Sequence, residues 1–107
     1  MNVALIFVAL SAAELGQLGD SYTTERGLAG GLKEGNPVAS WIVSKIGETG
    51  MTLLKVIGLA QAVPVLAYVL TGYNETCLTL VAGIVGVEGI VATVLNYLTM
   101  KKAGIKL

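Results

Sequence analysis

The sequence predicts an all-α integral membrane protein with three transmembrane helices and one short interfacial helix. Of its 107 residues, 54% are apolar and 13% are charged, and the mean hydropathy is +0.76. Three stretches are long and apolar enough to cross a bilayer, which takes about 20 residues each. Their combined length leaves no room for a separate soluble domain, so we expect residues 1–107 to form a single membrane domain.

Composition also excludes several functional classes. Seven basic and seven acidic residues give a formal net charge of zero, which argues against a nucleic-acid partner bound through positive charge. The absence of histidine excludes histidine-dependent triads, a haem with a histidine ligand and histidine-containing zinc sites. Cys77 has no second thiol to pair with, and we interpret it as a small apolar residue. We therefore expect no enzymatic activity, no cofactor and no bound metal.

The first span and the short helix lie in the amino-terminal half. A nearly continuous apolar run predicts the first span over residues 3–24, before a glycine-rich segment at 27–31. Asn36 followed by Pro37 is a favourable N-cap and first helical position, which predicts a short interfacial helix over 37–46.

The second and third spans follow. The second is predicted over residues 51–70, and Pro64 within it predicts a kink, because proline frees a carbonyl in the preceding turn. The third is predicted over 77–100 and ends at a group of lysines.

The distribution of basic residues predicts the orientation, because basic residues resist translocation. The turn at 71–76 has none, whereas the first connection and the carboxyl-terminal tail are basic. The residues concerned are Arg26, Lys33, Lys45, Lys101, Lys102 and Lys106. We expect a multi-pass protein with its amino terminus outside and its carboxyl terminus in the cytoplasm.

Several polar residues fall at bilayer depth, where an unpaired charge is costly. At a rise of 1.5 Å per residue, two carboxyl groups lie roughly 16 Å from the outer ends of their helices, near the midplane. The other charged residues and an asparagine share an inner layer. The set comprises Glu14, Gln17, Asp20, Lys55, Glu88 and Asn96.

Lys55 is expected to pair with Asp20, since both lie in the inner layer and each would otherwise be desolvated alone. The alternative is that the Lys55 side chain reaches water at the inner interface. Glu14 and Glu88 have no basic residue at their level, so we expect at least one of them to carry a proton at neutral pH. Either they hydrogen-bond across helices and stabilise a bundle, or they relay protons or cations.

A stripe of small residues on the third span predicts close helix packing. Its members lie within about 60° of one another on a helix. They are Ala82, Gly86, Gly89 and Thr93. Glu88 points about 100° away from the stripe. The sequence leaves open whether the partner helix belongs to the same chain or to a second copy, and in the latter case leucine at Gly86 or Gly89 would dissociate the assembly.

A polar motif extends over the first two spans: Asp20 with Thr23-Thr24 ends one span, Glu34-Gly35-Asn36-Pro37 precedes the next, and Lys55 follows in its helix. This motif resembles that of a family of small prokaryotic and phage-encoded integral membrane proteins of unknown function. The resemblance covers about residues 1–70 and implies an all-helical membrane fold and no particular activity. It implies a shared polar cluster of Asp20, Thr24, Glu34, Asn36 and Lys55. This cluster is either a local structural clasp or a site for a cation or a polar headgroup.

We therefore predict a small non-enzymatic membrane protein that is a structural or accessory subunit. Its expected partners are the lipid bilayer and copies of itself or other membrane subunits. One alternative is permeation of protons, cations or small solutes that uses Glu14 and Glu88. Another is a holin-like phage pore, which shares the three spans and the basic cytoplasmic tail.

Overall fold

The computed structural model describes residues 2–32 and 37–107, which are helical with short connections and contain no strand. This confirms the predicted all-α class. The elements in chain order are α1 (Val3–Ala29), α2 (Pro37–Leu53), a π-helix (Leu54–Ala62), α3 (Val63–Leu70) and α4 (Glu75–Lys102).

Three helical segments are long and apolar enough to cross a membrane, namely Val3–Ala29, Pro37–Leu70 and Glu75–Lys102. The second combines α2, the π-helix and α3. The molecule measures 46 Å along its longest axis, close to the roughly 40–45 Å of a bilayer with its headgroups. Many large apolar side chains lie on the outer surface, as expected of helices that face lipid.

The first helix is longer than predicted, because it runs through Gly27 and ends at Ala29 rather than near residue 24. It ends where Gly31 adopts a positive φ of 102°. There the Leu32 N–H donates to the Gly27 carbonyl at 3.0 Å, a bond typical of a glycine-terminated helix. Gly27 is buried inside the helix and does not end it. The prediction that the helix stops before the glycine-rich segment therefore placed its end too early.

A break at Gly47 divides α2, since this residue has φ 77° and ψ 174°. The break follows the predicted short helix 37–46, which begins at Pro37 as expected. The predicted cap Asn36 and the motif residue Glu34 lie outside the described residues.

A π-helix occupies the turns that precede Pro64, where the sequence predicts a kink. At its end the Val63 N–H donates to the Gly58 carbonyl, five residues back. A proline ring clashes with the carbonyl of the preceding turn, and a wider helix moves that carbonyl aside. The wide segment carries Lys55 and Gln61, so it sets the direction of both side chains.

The small-residue stripe of α4 packs against α1 of the same chain. A Cβ on Gly89 would overlap the backbone of Gly16, and a Cβ on Gly86 would lie 3.0 Å from the carbonyl carbon of Ala12. Ala82 is fully buried. The sequence left open which helix packs against this stripe, and in the structure it is α1 of the same chain. Ala82, Gly86 and Gly89 are therefore buried and unavailable for contact with a second copy. We call this contact the α1–α4 seam.

Candidate functional site

A cleft of about 500 Å³ lies among α1, α2, the π-helix and α4. This volume is typical of small-molecule sites, which measure roughly 300–1,000 Å³. Six polar side chains line it, namely Gln17, Asp20, Thr24, Lys55, Glu88 and Asn96, and the apolar lining comprises Ala39, Met51, Leu59, Ile84, Val85 and Ala92. The fold thus brings together five of the six predicted intramembrane polar residues with one motif threonine.

Asp20 joins the three spans in the part of the cleft nearest the carboxyl-terminal half of α4. Lys55 donates to its Oδ2 atom at 2.9 Å, and both side chains are largely buried. Asn96 Nδ2 donates to Oδ1 at 3.0 Å, and Thr24 Oγ1 donates to the same oxygen at 3.3 Å. The predicted Lys55–Asp20 pair is therefore confirmed, and the Asp20 carboxylate has donors from α1, the π-helix and α4.

The Asn96 amide extends this network along α1. Its Nδ2 also lies 3.0 Å from Thr23 Oγ1 and 3.1 Å from Thr24 Oγ1. Thr23 in turn donates to the Gly19 carbonyl at 2.8 Å. Thr23 belongs to the motif but is not among the site residues that the sequence predicts. Its burial on the face of α1 that meets α4 depends on the contact between two distant helices.

Glu88 lies two turns before Asn96 on α4 and contacts α1 through Gln17. The Gln17 Nε2 atom donates to Glu88 Oε2 at 2.8 Å and to the Val85 carbonyl at 3.2 Å. Gln17 is fully buried, and its Oε1 atom has no hydrogen-bond partner among the described residues. Glu88 itself is exposed at the protein surface. One of its oxygens thus faces a fixed donor while the side chain borders the open cleft.

Glu14 does not line the cleft. Its Oε2 atom accepts a hydrogen bond from Gln61 Nε2 at 2.7 Å, which links α1 to the π-helix. Glu14 and Glu88 therefore have separate amide partners on separate helices. Gln61 is not among the polar residues that the sequence analysis predicts, although a glutamine within an apolar span is a usable signal because its amide must also be hydrogen-bonded there.

A second, smaller pocket of about 20 Å³ lies between α1 and α2. It is lined by Ser21, Thr24, Glu25, Leu28, Val43, Glu48, Met51, Thr52 and Lys55. Thr52 Oγ1 donates to Glu25 Oε1 at 2.9 Å. Ser21 is buried, and its hydroxyl has no partner within the described ranges. Glu25, Glu48 and Thr52 are not among the residues that the sequence predicts for a site, since their approach depends on the fold of α2.

The polar side chains that line the two cavities carry carboxyl, amide and hydroxyl groups and the ammonium group of Lys55. Among residues 2–32 and 37–107, no three histidine, cysteine, aspartate or glutamate side chains are grouped closely enough to hold a metal ion in the usual manner. Lys55, Thr24 and Met51 line both cavities, so the Lys55–Asp20 pair lies where the two meet. The arrangement suits the binding of polar groups and cations at bilayer depth.

Comparisons with protein families, curated proteins and solved structures found no match. The fold and the site therefore define only a class. The chain is an all-α protein in which three helices, each apolar enough to span a membrane, surround a polar cleft.

Proposed function

We propose that this chain is a non-enzymatic membrane subunit that works as a homo-oligomer, with a second copy covering the polar cleft. In this proposal the amino terminus is outside and the basic tail is cytoplasmic. The observation that carries it is the open cleft, which exposes the Glu88 side chain at about the middle of a spanning helix.

A carboxyl group in that position must be shielded from lipid by protein or must face water. Charged side chains at the bilayer centre cost roughly 2.5–3.5 kcal/mol on insertion scales. Gln17 supplies one donor to Glu88, and Lys55 is already bound to Asp20. A second chain over the cleft would remove Glu88 from lipid and could supply further donors.

The glycine contacts limit where a second copy can bind. The α1–α4 seam is closed within one chain, because Gly86 and Gly89 lie against Ala12 and Gly16. A second copy must therefore use the remaining faces. The mouth of the cleft is favoured, since it combines exposed apolar residues such as Ile84 with a polar interior.

Cysteine cross-linking tests this surface. The starting protein is Cys77→Ser, into which Ile84→Cys is introduced at the cleft and Leu15→Cys at a face of α1 that lines neither cavity. The two positions are matched, because both native side chains are 69% exposed. We expect oxidation in mild detergent to give dimers for Ile84→Cys and monomers for Leu15→Cys. Equal cross-linking at both positions, or none at Ile84→Cys, would contradict the proposal.

A second candidate function is permeation of protons or small cations. The specific observation in its favour is that the small pocket between α1 and α2 adjoins the cleft that holds Glu88, since Thr24, Met51 and Lys55 line both cavities. Flux through liposomes containing the purified chain tests it. Permeation predicts a flux that Glu88→Gln abolishes and that Glu75→Gln, at the first turn of α4, preserves. Absence of flux from the unmodified chain would rule it out.

A further inference from the structure

We infer that a pocket beside the carboxyl-terminal end of α4 binds the headgroup of one anionic phospholipid. This tail pocket measures about 430 Å³ and is lined by Tyr97, Lys101, Gly104, Ile105, Lys106 and Leu107. None of these residues belongs to the polar motif or lines the cleft or the smaller pocket between α1 and α2. The inference therefore goes beyond the proposed assembly and concerns a different surface.

The tail pocket is formed because the chain turns back on itself after α4. Gly104 has a φ of 74°, and the Ile105 N–H donates to the Met100 carbonyl at 2.9 Å, which is a common way for a helix to end. The Arg26 side chain of α1 then donates to the Lys106 carbonyl at 2.7 Å. These bonds hold the tail beside the last turn of α4, so that both line one pocket.

A glycine of α1 makes room for the folded tail. The Ile105 side chain occupies the space that a Cβ on Gly30 would take, and it is partly buried. The tail is thus packed against α1 as well as hydrogen-bonded to it. Tertiary contacts therefore fix the position of the tail pocket.

The charge of the lining selects an anion. Lys101 and Lys106 are exposed, and neither ammonium group has an ion-pair partner within residues 2–32 and 37–107. No acidic side chain is among the described residues that line the pocket. A main-chain carboxylate at Leu107 would offset one positive charge and leave the lining positive. Lysine ammonium groups bind phosphate as charged donors of hydrogen bonds.

The position of the pocket along α4 matches the headgroup layer of a bilayer. From Glu75 to Lys101 the helix rises about 39 Å at 1.5 Å per residue. Because a bilayer with its headgroups is roughly 40–45 Å thick, the two ends of this apolar helix lie in opposite headgroup layers. Tyr97 lies one turn before Lys101, at the boundary with the hydrocarbon, where tyrosine is enriched.

An apolar stripe on α4 leads from the tail pocket toward the hydrocarbon. Ile90, Val94, Tyr97 and Lys101 lie within about 60° of one another on the helix, and the first three side chains are between 43% and 51% exposed. An acyl chain that lies along this stripe brings its phosphate to Lys101. The stripe and the pocket together match a lipid, whereas a free phosphate would use the pocket alone.

Lipid titration of the full chain in mild detergent, followed by native mass spectrometry, tests this site. The probes are dioleoyl phosphatidylglycerol, dioleoyl phosphatidylcholine, which has the same acyl chains and no net charge, and glycerol phosphate, which has no acyl chain. We expect one phosphatidylglycerol to bind about tenfold or more tightly than either of the others. Equal affinity for the two lipids would overturn the inference, and so would glycerol phosphate that binds as tightly as phosphatidylglycerol.

Matched charge variants separate the pocket from a general attraction to basic residues. Lys101→Gln and Lys106→Gln each remove one charge from the lining and should weaken binding of the first phosphatidylglycerol about fivefold. Lys102→Gln removes the same charge from an exposed neighbour that does not line the pocket, and its effect should be smaller because solvent screens that charge. An equal loss in all three variants would indicate diffuse attraction and would contradict a site.

A variant that keeps every charge tests the folded tail. Gly30→Leu takes up the space of Ile105 and should displace the tail, so that binding of phosphatidylglycerol falls although all the lysines remain. Circular dichroism checks that the helices are retained. Unchanged binding in a helical Gly30→Leu protein would show that the folded tail does not form the site.

These outcomes are distinguishable from a failure of the proposed assembly. Cross-linking at Ile84→Cys reports on contact between copies, whereas lipid binding is counted per chain. A monomeric protein that selects phosphatidylglycerol through Lys101 and Lys106 would refute the first proposal and support the second.

Discussion

The first helix meets its two neighbours in different ways. Against α4 it packs backbone to backbone, because Gly16 faces Gly86 and Gly89. Against the second span it is held by long polar side chains, namely Lys55 to Asp20 and Gln61 to Glu14. The first contact leaves no room for a Cβ atom at Gly86 or Gly89, while a cleft of about 500 Å³ lies beside the second.

The difference shows how one helix can combine rigidity with a polar cavity. Small residues let helices approach closely without any hydrophobic drive from lipid. Long polar side chains can pair across a gap between two helices, and the space beside the paired groups remains open. In this chain the α1–α4 seam sets the distance between these two helices, and the polar side chains line the cleft beside them.

The largest expected effect breaks the seam. Gly89→Leu would force a side chain into the backbone of Gly16, and we expect a loss of roughly 4 kcal/mol or more of unfolding free energy. Gly83→Leu is the matched control, because a Cβ at Gly83 meets nothing within 4 Å. Thermal unfolding followed by circular dichroism in detergent compares them. Similar stability of the two variants would show that the seam is not close-packed.

The next largest effect breaks the main polar contact. Asp20→Ala leaves Lys55 buried without its partner, a change that typically costs about 3–5 kcal/mol. Lys55→Met should cost less, since Asp20 keeps its donors Asn96 and Thr24.

A double-mutant cycle checks this asymmetry. Asp20→Ala combined with Lys55→Met should be more stable than Asp20→Ala alone, because no unpaired ammonium remains. Additive losses of unfolding free energy would mean that the two side chains act independently. The Lys55–Asp20 contact would then not hold α1 and the second span together.

A smaller effect is expected at the other polar contact. Gln61→Leu removes the hydrogen bond to Glu14 and should cost about 1 kcal/mol. Glu14→Gln is the comparison variant, because two amides can still hydrogen-bond there. Chemical unfolding in mixed micelles would measure both. If Glu14→Gln proves as damaging as Gln61→Leu, the charge of Glu14 rather than the hydrogen bond holds the helices together.

The smallest effect is expected at Gln17, which lies where the seam and the cleft meet. Gln17→Leu loses hydrogen bonds to Glu88 and Val85 but also removes a buried oxygen that has no partner. The opposing terms should leave stability within about 1 kcal/mol of the parent. A loss well above that, measured by thermal unfolding, would mean that a buried water satisfies the Gln17 oxygen.

The sequence by itself determined the all-α class and the three spans, and it predicted the pairing of Lys55 with Asp20 as one of two alternatives. Each of these predictions follows from the order of residues along the chain and the geometry of a single helix. Apolar runs of sufficient length form spanning helices, and a fixed rise per residue places two opposite charges at one depth, where desolvation drives them together.

Only the tertiary structure decided which helix faces which. Gln17 and Glu88 are 71 positions apart in the chain, and the rotation of each helix about its axis depends on packing along its whole length. The stripe at Gly86 and Gly89 suited either a second copy or the same chain until close approach to Gly16 settled it. The separate partners of Glu14 and Glu88, and the approach of Thr52 to Glu25, have the same cause, since side chains at one depth meet only when their helices turn them toward each other.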